Sequence, residues 1–375
     1  MYQIELIEYR NQFIQLKQEW NDVANAMPRP MPFFYHEWFH AFYEACYSKE
    51  PPLIIRISKN RQLVGFLPLS FYNTRYRNVP MTVLGFPNNP DTCVNDLIGV
   101  DSGCEVIVVV FEWLNKNIGS WDALHLTKVP NWGLLHSSIQ TCISNKQLRY
   151  YETGIHTNLY LTPEQSWDDY YNTRTRNFRK SNRGVQNRLN RQGSIDIESH
   201  SSESETFLTA FEELLEVSAN CWKKDSQVAL YTQPISLAFF RELIYRKFPD
   251  SCLWIHLLRK NGKAIAYEFD ISSNNKVYAL RADYHSDFHT DSPGNYLDYH
   301  LMKRVFDSNI NMYEFGPGLN SYKLRWTENG YQTKDIMILN RSFKARTCSA
   351  FFSMLERASK IKKSLNKRPS LMGKS

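Results

Sequence analysis

A turn at residues 292–295 carries residue types that bind phosphate. Ser292 precedes Pro293, and a serine followed by a proline is typical of a helix start. Free N–H groups in the first turn of a helix attract anions, and glycine lets an anion approach the backbone closely. We therefore predict a phosphate site formed by Ser292, Gly294 and Asn295. The alternative is an ordinary capped helix.

Two carboxylates and a phenol lie near the same turn, at the predicted ends of strands. Asp283 and Glu314 are placed where a carboxylate could accept a proton from a bound group. Tyr322 follows the second strand and could donate one. The two carboxylates could instead only pair with nearby arginines, which are Arg281 and Arg325.

A strongly basic stretch precedes these residues. It holds seven basic residues and no acid between Arg174 and Arg191. Arg176, Arg179 and Arg183 recur at helical spacing on one face, where they could bind a phosphate or a sugar carboxylate. The alternative is a solvated surface helix.

The net charge of +7 comes from 45 basic and 38 acidic residues, and its distribution is uneven. The stretch from residue 341 to 375 holds ten basic residues against Glu356 alone. Once both basic stretches are set aside, the rest of the chain is mildly acidic, which favours local anion binding over a general nucleic-acid coat. Beyond residue 346, apolar residues at helical spacing predict a basic amphipathic helix, which could contact a membrane surface or dock on the protein itself.

The seven cysteines form no CxxC pair, and no apolar run approaches the roughly 20 residues that span a bilayer. We therefore expect a cytoplasmic protein that is not exported. Peripheral contact with the inner face of the membrane is compatible with this location. His36-Glu37-Trp-Phe-His40 fits a zinc-protease pattern. No third ligand follows at a suitable position, so we expect no metal.

An internal repeat organises the chain. Residues 53–66 align with residues 253–267, and each copy reads as a strand, a short polar turn and a second strand. A helix is predicted before each copy, over 38–46 and over 237–247. The chain is therefore expected to contain two copies of one α/β unit.

The second half resembles the CelD/BcsL-type acetyltransferases, a branch of the GNAT superfamily related to the Fem peptidoglycan-bridge transferases. The matching segments run from about Trp222 to Tyr331. They are the hairpin at 259–266, the helix start at 292–294, and Glu314-Phe-Gly316 leading to Tyr322-Lys323-Leu-Arg325-Trp326.

The resemblance implies a tandem of GNAT units, each a twisted mixed sheet flanked by helices. It divides the chain into a degenerate unit at 1–165, a catalytic unit at 166–345 and a basic tail at 346–375. It implies N-acylation of an amino group on a sugar or cell-envelope precursor, with acyl-CoA (acetyl-CoA) as the donor.

The resemblance also places Lys323 close to the transferred group, where it could stabilise negative charge. Asp283 or Glu314 would then take the proton of the amine, and Tyr322 could protonate the leaving thiolate. Two alternatives remain open. One is transfer of an amino acid from aminoacyl-tRNA, as in Fem relatives. The other is a non-catalytic protein that binds an anionic polymer or a membrane.

Overall fold

The computed structural model describes residues 2–46, 52–87, 89–100, 105–144, 150–223 and 227–342, together with 344, 345, 347, 348, 351, 352 and 354. Its first half begins with a strand and three helices and continues with a long hairpin. The elements are β1 (Tyr2–Ile7), α1 (Arg10–Gln15), α2 (Lys17–Asn25), α3 (His36–Cys46), β2 (Leu53–Lys59), β3 (Gln62–Tyr76), β4 (Val79–Gly85), β5 (Ile98–Gly99), α4 (Val106–Asn117), β6 (Ala123–Pro130), α5 (Leu134–Ser144) and β7 (Tyr150–Leu161).

The second half repeats this order of strands and helices. Its elements are α6 (Trp167–Thr173), α7 (Arg176–Asn190), β8 (Ile195–Ser201), α8 (Phe207–Ala219), α9 (Pro234–Leu243), β9 (Ser251–Lys260), β10 (Lys263–Ser273), β11 (Lys276–Tyr284), α10 (Pro293–Phe306), β12 (Met312–Pro317), α11 (Ser321–Leu324) and β13 (Gly330–Leu339). A 3₁₀ turn at Ser286–Asp291 leads into α10.

The two halves share one sheet. Its order is β1-β2-β3-β4-β6-β13-β7-β12-β11-β10-β9-β8, with β5 paired to β3. The last strand of each half lies among the strands of the other, because β13 pairs with β6 and β7 pairs with β12. Each half also contains one parallel pair, β4 with β6 and β11 with β12. The predicted fold class, α/β with tandem GNAT units, is confirmed.

The predicted repeat corresponds to two hairpins, β2–β3 and β9–β10. Both turns need left-handed backbone, with φ of 52° at Asn60 and 50° at Asn261. Asparagine tolerates this conformation better than most residues do. Turn chemistry therefore helps to fix the register of both hairpins.

A continuous core joins the halves where α3 packs on α9. The rings of Trp38 and Phe239 lie 4.9 Å apart, edge to face. His36 and Glu37 are buried in this core. Glu37 pairs with Lys17 at 2.9 Å, so the zinc-protease pattern here serves helix packing.

Three predictions about elements have different outcomes. The helix expected over 237–247 instead spans Pro234–Leu243, because proline fits the first turn of a helix. The helix predicted beyond residue 346 lies largely outside the described residues, although Phe352 is buried beside Tyr76 and Tyr151. Within the described part of the chain, no helix is long and apolar enough to cross a membrane.

Candidate active site

A cavity of about 390 Å³ opens where β11 and β12 separate. The two parallel strands pair only from Lys276–Tyr278 to Met312–Glu314. Beyond this point the two strands do not pair with each other. Lysine side chains donate to some of the carbonyls there, and the remaining backbone groups are left for another partner. A bound chain that carries amide groups could complete these edges.

The walls of the cavity come from both halves of the chain. The first half contributes Pro90, Asp91 and Cys93 from the loop after β4. The second half contributes mainly β11, β12, α10 and α11, and β10 adds Glu268. The charged and phenolic lining residues of this half are Lys223, Glu268, Arg281, Asp298, Tyr322 and Lys323. The site is therefore incomplete without the first unit.

Lys323 is a buried cation at the edge of this cavity, with 4% of its surface exposed. Its Nζ donates to the carbonyl oxygens of Gly316 at 3.1 Å and Pro317 at 2.8 Å. Left-handed backbone at Gly316 (φ 72°) and Gly318 (φ 101°) shapes the turn that carries these carbonyls. Among the described residues, no carboxylate lies within 4.0 Å of Nζ.

The electrostatics of Lys323 follow from that setting. Burial lowers the pKa of its ammonium group to about 8, against the opposing influence of Cys93 and Glu314. Because its partners are neutral carbonyls, the positive charge is not cancelled locally. An ammonium in this state can stabilise negative charge that develops on a substrate oxygen.

Glu314 is buried beneath the cavity without lining it. Its Oε1 accepts hydrogen bonds from Tyr331 Oη at 2.8 Å and Asn158 Nδ2 at 3.3 Å. Burial raises the pKa of its carboxyl to about 7. The alternative pairing with Arg281 or Arg325 is wrong, because among the described residues no arginine lies within 4.0 Å of this carboxylate and its partners come from β7 and β13.

Asp283 also lies beside the cavity and pairs with a residue that lines it. Its Oδ1 lies 3.0 Å from Lys223 Nζ, which also donates to the Ala282 carbonyl. Burial raises the pKa of the Asp283 carboxyl. Arg281, the expected alternative partner, instead contacts Asp91.

The turn at 292–295 lies next to the cavity. Pro293 begins α10 as predicted, but Ser292 has φ 57° and its side chain makes no capping hydrogen bond. The prediction of a serine cap is therefore wrong, because a capping residue needs extended backbone. Asn295 lines a narrow cleft together with Asp298 and Tyr322, which also line the cavity. Ser292 and Gly294 line neither space.

The predicted basic helix is α7, and it borders the same narrow cleft through Asn182. Arg176 and Arg183 are exposed, whereas Arg179 is half-buried and donates to Asn172 Oδ1 at 2.8 Å. The opposite face packs inward through Val185 and Leu189. The three arginines therefore lie near the cavity rather than in it.

Sequence reasoning missed the acidic residues of the cavity. Glu268 and Asp298 line it, and burial together with Asp270 raises the pKa of both carboxyls, that of Asp298 to about 7. One signal was visible in the sequence, because Glu268 and Asp270 interrupt an otherwise apolar strand. A buried acid in such a strand usually has a specific role or partner.

Comparison with known proteins identifies the part of the chain that holds this site. Residues 176–324 match the family described as acetyltransferase (GNAT) domain. Over this segment the chain is similar to a GNAT acetyltransferase domain. The matched segment contains the separated strands β11 and β12, the helix α10 between them and Lys323. No curated protein matches the sequence.

Solved structures resemble the whole GNAT tandem. FemX is 12% identical, with 87% of this chain and 96% of FemX covered at a TM-score of 0.54. L-PGS from Bacillus licheniformis is 12% identical, with 87% of this chain and 96% of that protein covered at a TM-score of 0.51. A protein of unknown function from Bacteroides thetaiotaomicron is 11% identical, with 90% and 100% covered at 0.54. At these identities the similarity establishes the fold alone.

Proposed function

We propose that this GNAT protein transfers an acyl group, in the simplest case acetyl, from acyl-CoA to an amino group of a sugar or cell-envelope precursor. The observation that carries the proposal is the separation of β11 and β12 beside Lys323. It combines partly unpaired backbone edges, a half-open cavity and a buried cation in one place.

The donor fits this arrangement as an extended chain. The amide groups of its pantetheine arm would pair with the open edges of the two strands. Its phosphates would lie toward the first turn of α10, where Ser292, Gly294 and Asn295 were predicted to bind them. Asn295 is about one helical turn, roughly 5 Å, from Asp298 in the cavity. The reactive carbonyl would then lie near Lys323.

The residues of the cavity supply the remaining requirements of acyl transfer. The Lys323 ammonium stabilises the negative charge that develops on the carbonyl oxygen as the amine attacks. A buried carboxyl accepts the proton that the amine loses, and Glu268 and Asp298 are better placed for this than Glu314 or Asp283. Tyr322 lines the same cavity, which places its phenol where it can donate a proton to the leaving thiolate.

A second candidate is transfer of an amino acid from aminoacyl-tRNA. The fold shared with FemX is compatible with this reaction, and the exposed basic face of α7 near the cavity favours it. For transfer from aminoacyl-tRNA, the tRNA backbone would be bound by Arg176, Arg179 and Arg183. For transfer from acyl-CoA, the same arginines would bind a phosphate of the acceptor.

Ligand-dependent thermal stability separates these candidates. We expect acetyl-CoA to raise the melting temperature in proportion to the logarithm of its concentration, and tRNA to have no such effect. Stabilisation by tRNA alone would favour the aminoacyl candidate. A third outcome is that acetyl-CoA and tRNA both bind, that both affinities fall steeply as salt is added, and that no amine is acylated. This outcome would indicate a non-catalytic anion-binding protein.

The acceptor can be found by measuring release of coenzyme A. Amino sugars, their nucleotide forms and lipid-linked forms are supplied with acetyl-CoA, and the Lys323→Ala variant serves as the negative control. Absence of release with every amine, despite stabilisation by acetyl-CoA, would argue against N-acylation. For the tail at 346–375 we propose peripheral contact with anionic membranes, tested by sedimentation with phosphatidylglycerol vesicles.

A further inference from the structure

A second cavity, of about 300 Å³, lies beside the first beneath the same helix. Its lining residues include Trp254, His256, Asp270 and Arg304. Helix α10 covers both spaces, contributing Asp298 to the first and Arg304 to the second. The two cavities are therefore neighbours along one face of the sheet.

Two acids of β10 connect these cavities. Glu268 lines the first and Asp270 the second, and residues two apart on a strand point to the same face. They are 4% and 2% exposed. Asp270 Oδ1 is buried, and no described N–H or O–H group donates to it. Burial and the nearby Asp270 carboxylate raise the pKa of Glu268, so this acid keeps its proton to a higher pH than an exposed glutamate does.

His256 lies on β9, between Asp270 and the edge strand β8. Its Nε2 lies 3.4 Å from Asp270 Oδ2, and its Nδ1 lies 2.8 Å from Ser199 Oγ on β8. Strand β8 ends the sheet, and 11% of the His256 side chain is exposed. Arg304 of α10 donates to the same Ser199 oxygen. The imidazole is therefore placed between a buried acid and solvent.

We propose that Glu268, Asp270 and His256 form a route by which the reaction's proton leaves the catalytic cavity. The inference rests on the proposed acyl transfer. An amine that binds as an ammonium reacts with a thioester to give an amide, a neutral thiol and one released proton. The same balance holds for an ester donor, with an alcohol in place of the thiol.

Each step of the route moves one proton. Glu268 accepts a proton from the substrate nitrogen at one oxygen and passes its own proton to Asp270. Asp270 passes a proton to His256 Nε2, and the imidazole releases one to solvent. Glu268 also faces Asp298 of α10 and the Tyr322 phenol, whereas His256 faces Asp270 and lies near Arg304. Asp270 and His256 are thus positioning residues that act through Glu268.

The proton link is testable without any substrate. Infrared difference spectra at pH 8 should show a protonated carboxyl that Glu268→Gln removes. At that pH, Glu314 and Asp298, whose pKa values are about 7, are mostly ionised. In ¹⁵N NMR spectra, Asp270→Asn should shift the His256 Nε2 resonance, because this nitrogen loses the carboxylate that lies 3.4 Å away. The ring resonances of His200 should not move. A carboxyl band that survives Glu268→Gln, or a His256 Nε2 resonance unchanged by Asp270→Asn, overturns the proposal.

The catalytic part is tested with the acyl donor and an amine that the wild-type protein accepts. We expect His256→Gln to lower kcat about tenfold with little change in KM, and millimolar imidazole to restore it. The matched control is His200→Gln, because His200 also lies 3.4 Å from a carboxylate but lines neither of these two cavities. If His256→Gln is fully active without imidazole, the route is wrong and the acyl transfer stands. If the wild-type protein acylates no amine, the proposed function and the route both fail.

Discussion

Arg281 and Asp91 join the two units across the wall of the catalytic cavity. The Arg281 Nε donates to Asp91 Oδ1 at 2.6 Å, although 190 residues separate the two in sequence. The same guanidinium donates to Gln233 Oε1 and Ser236 Oγ at the start of α9. One side chain of β11 therefore holds both a loop of the first unit and a helix of the second.

Replacing Arg281 should destabilise the fold more than replacing Asp91 does. Arg281→Met leaves the Asp91 carboxylate buried without its cation, so we expect the free energy of unfolding to fall by about 3–5 kcal/mol. Asp91→Asn should cost less. The double variant should be more stable than the sum of the single changes predicts, as measured by urea denaturation. Strict additivity would show that the two side chains do not interact in solution.

Removal of the Lys323 charge should impair catalysis while leaving the fold intact. We expect Lys323→Met to lower kcat/KM by roughly 10²–10³-fold, the range seen when a group that stabilises an oxyanion is removed. Steady-state release of coenzyme A measures this, and the exposed Lys303→Met on α10 is the control. Equal losses in both variants would remove Lys323 from the active site.

The pH dependence of turnover should report the same lysine. The pKa of Lys323 is lowered to about 8, so its ammonium is present below that pH and lost above it. If the ammonium is the active form, kcat should fall as the pH rises through about 8. The residual activity of Lys323→Met should not show this fall in kcat above pH 8. If the fall persists in this variant, it reports the titration of another group.

Glu314 should make stability depend on pH between about 4.5 and 7. Its pKa is raised to about 7 in the folded protein, so the folded state holds a proton that the unfolded state has lost. The wild-type free energy of unfolding should therefore fall as the pH rises through this window. Relative to the wild type, Glu314→Gln should gain about 3 kcal/mol from pH 4.5 to pH 8.

Denaturation at both pH values measures this gain. The exposed Glu328→Gln variant serves as its control. A pH-independent difference between the wild type and Glu314→Gln would mean that Glu314 is ionised in the fold.

The arginines of α7 should affect binding rather than chemistry. Arg176→Gln combined with Arg183→Gln should raise the KM of a phosphate-bearing substrate several-fold at low salt and leave kcat unchanged. The effect should shrink as salt is added, because both side chains are exposed. Replacement of Arg61, an exposed residue in the turn of the first unit's hairpin, is the matched control. A fall in kcat alone would contradict this role.

The sequence predicted the features that local rules control. Left-handed turns at Asn60 and Asn261 mark the two hairpins, and Pro293 marks the start of α10. The lysine at 323 was predicted from a resemblance, and the structure places it beside a cavity. The roles given to it and to the turn at 292–295 stay predictions.

Other features depend on contacts between distant parts of the chain. The contact between Asp91 and Arg281 depends on how the loop after β4 crosses the sheet, and no local pattern encodes that path. The partners of Glu314 come from β7 and β13, which lie next to each other only because the halves exchange strands. The acids Glu268 and Asp298 come together only when α10 folds over β10.

The exchange of β7 and β13 has a consequence for how this protein can be divided. A cut at residue 165 would leave the N-terminal fragment without the neighbours of β7 and would deprive the C-terminal fragment of the strand between β12 and β13. Both pieces would expose unpaired edges and bare apolar surface, a combination that promotes aggregation. We therefore expect each half to be insoluble when it is expressed alone. Co-expression of the two halves should give a soluble, folded complex.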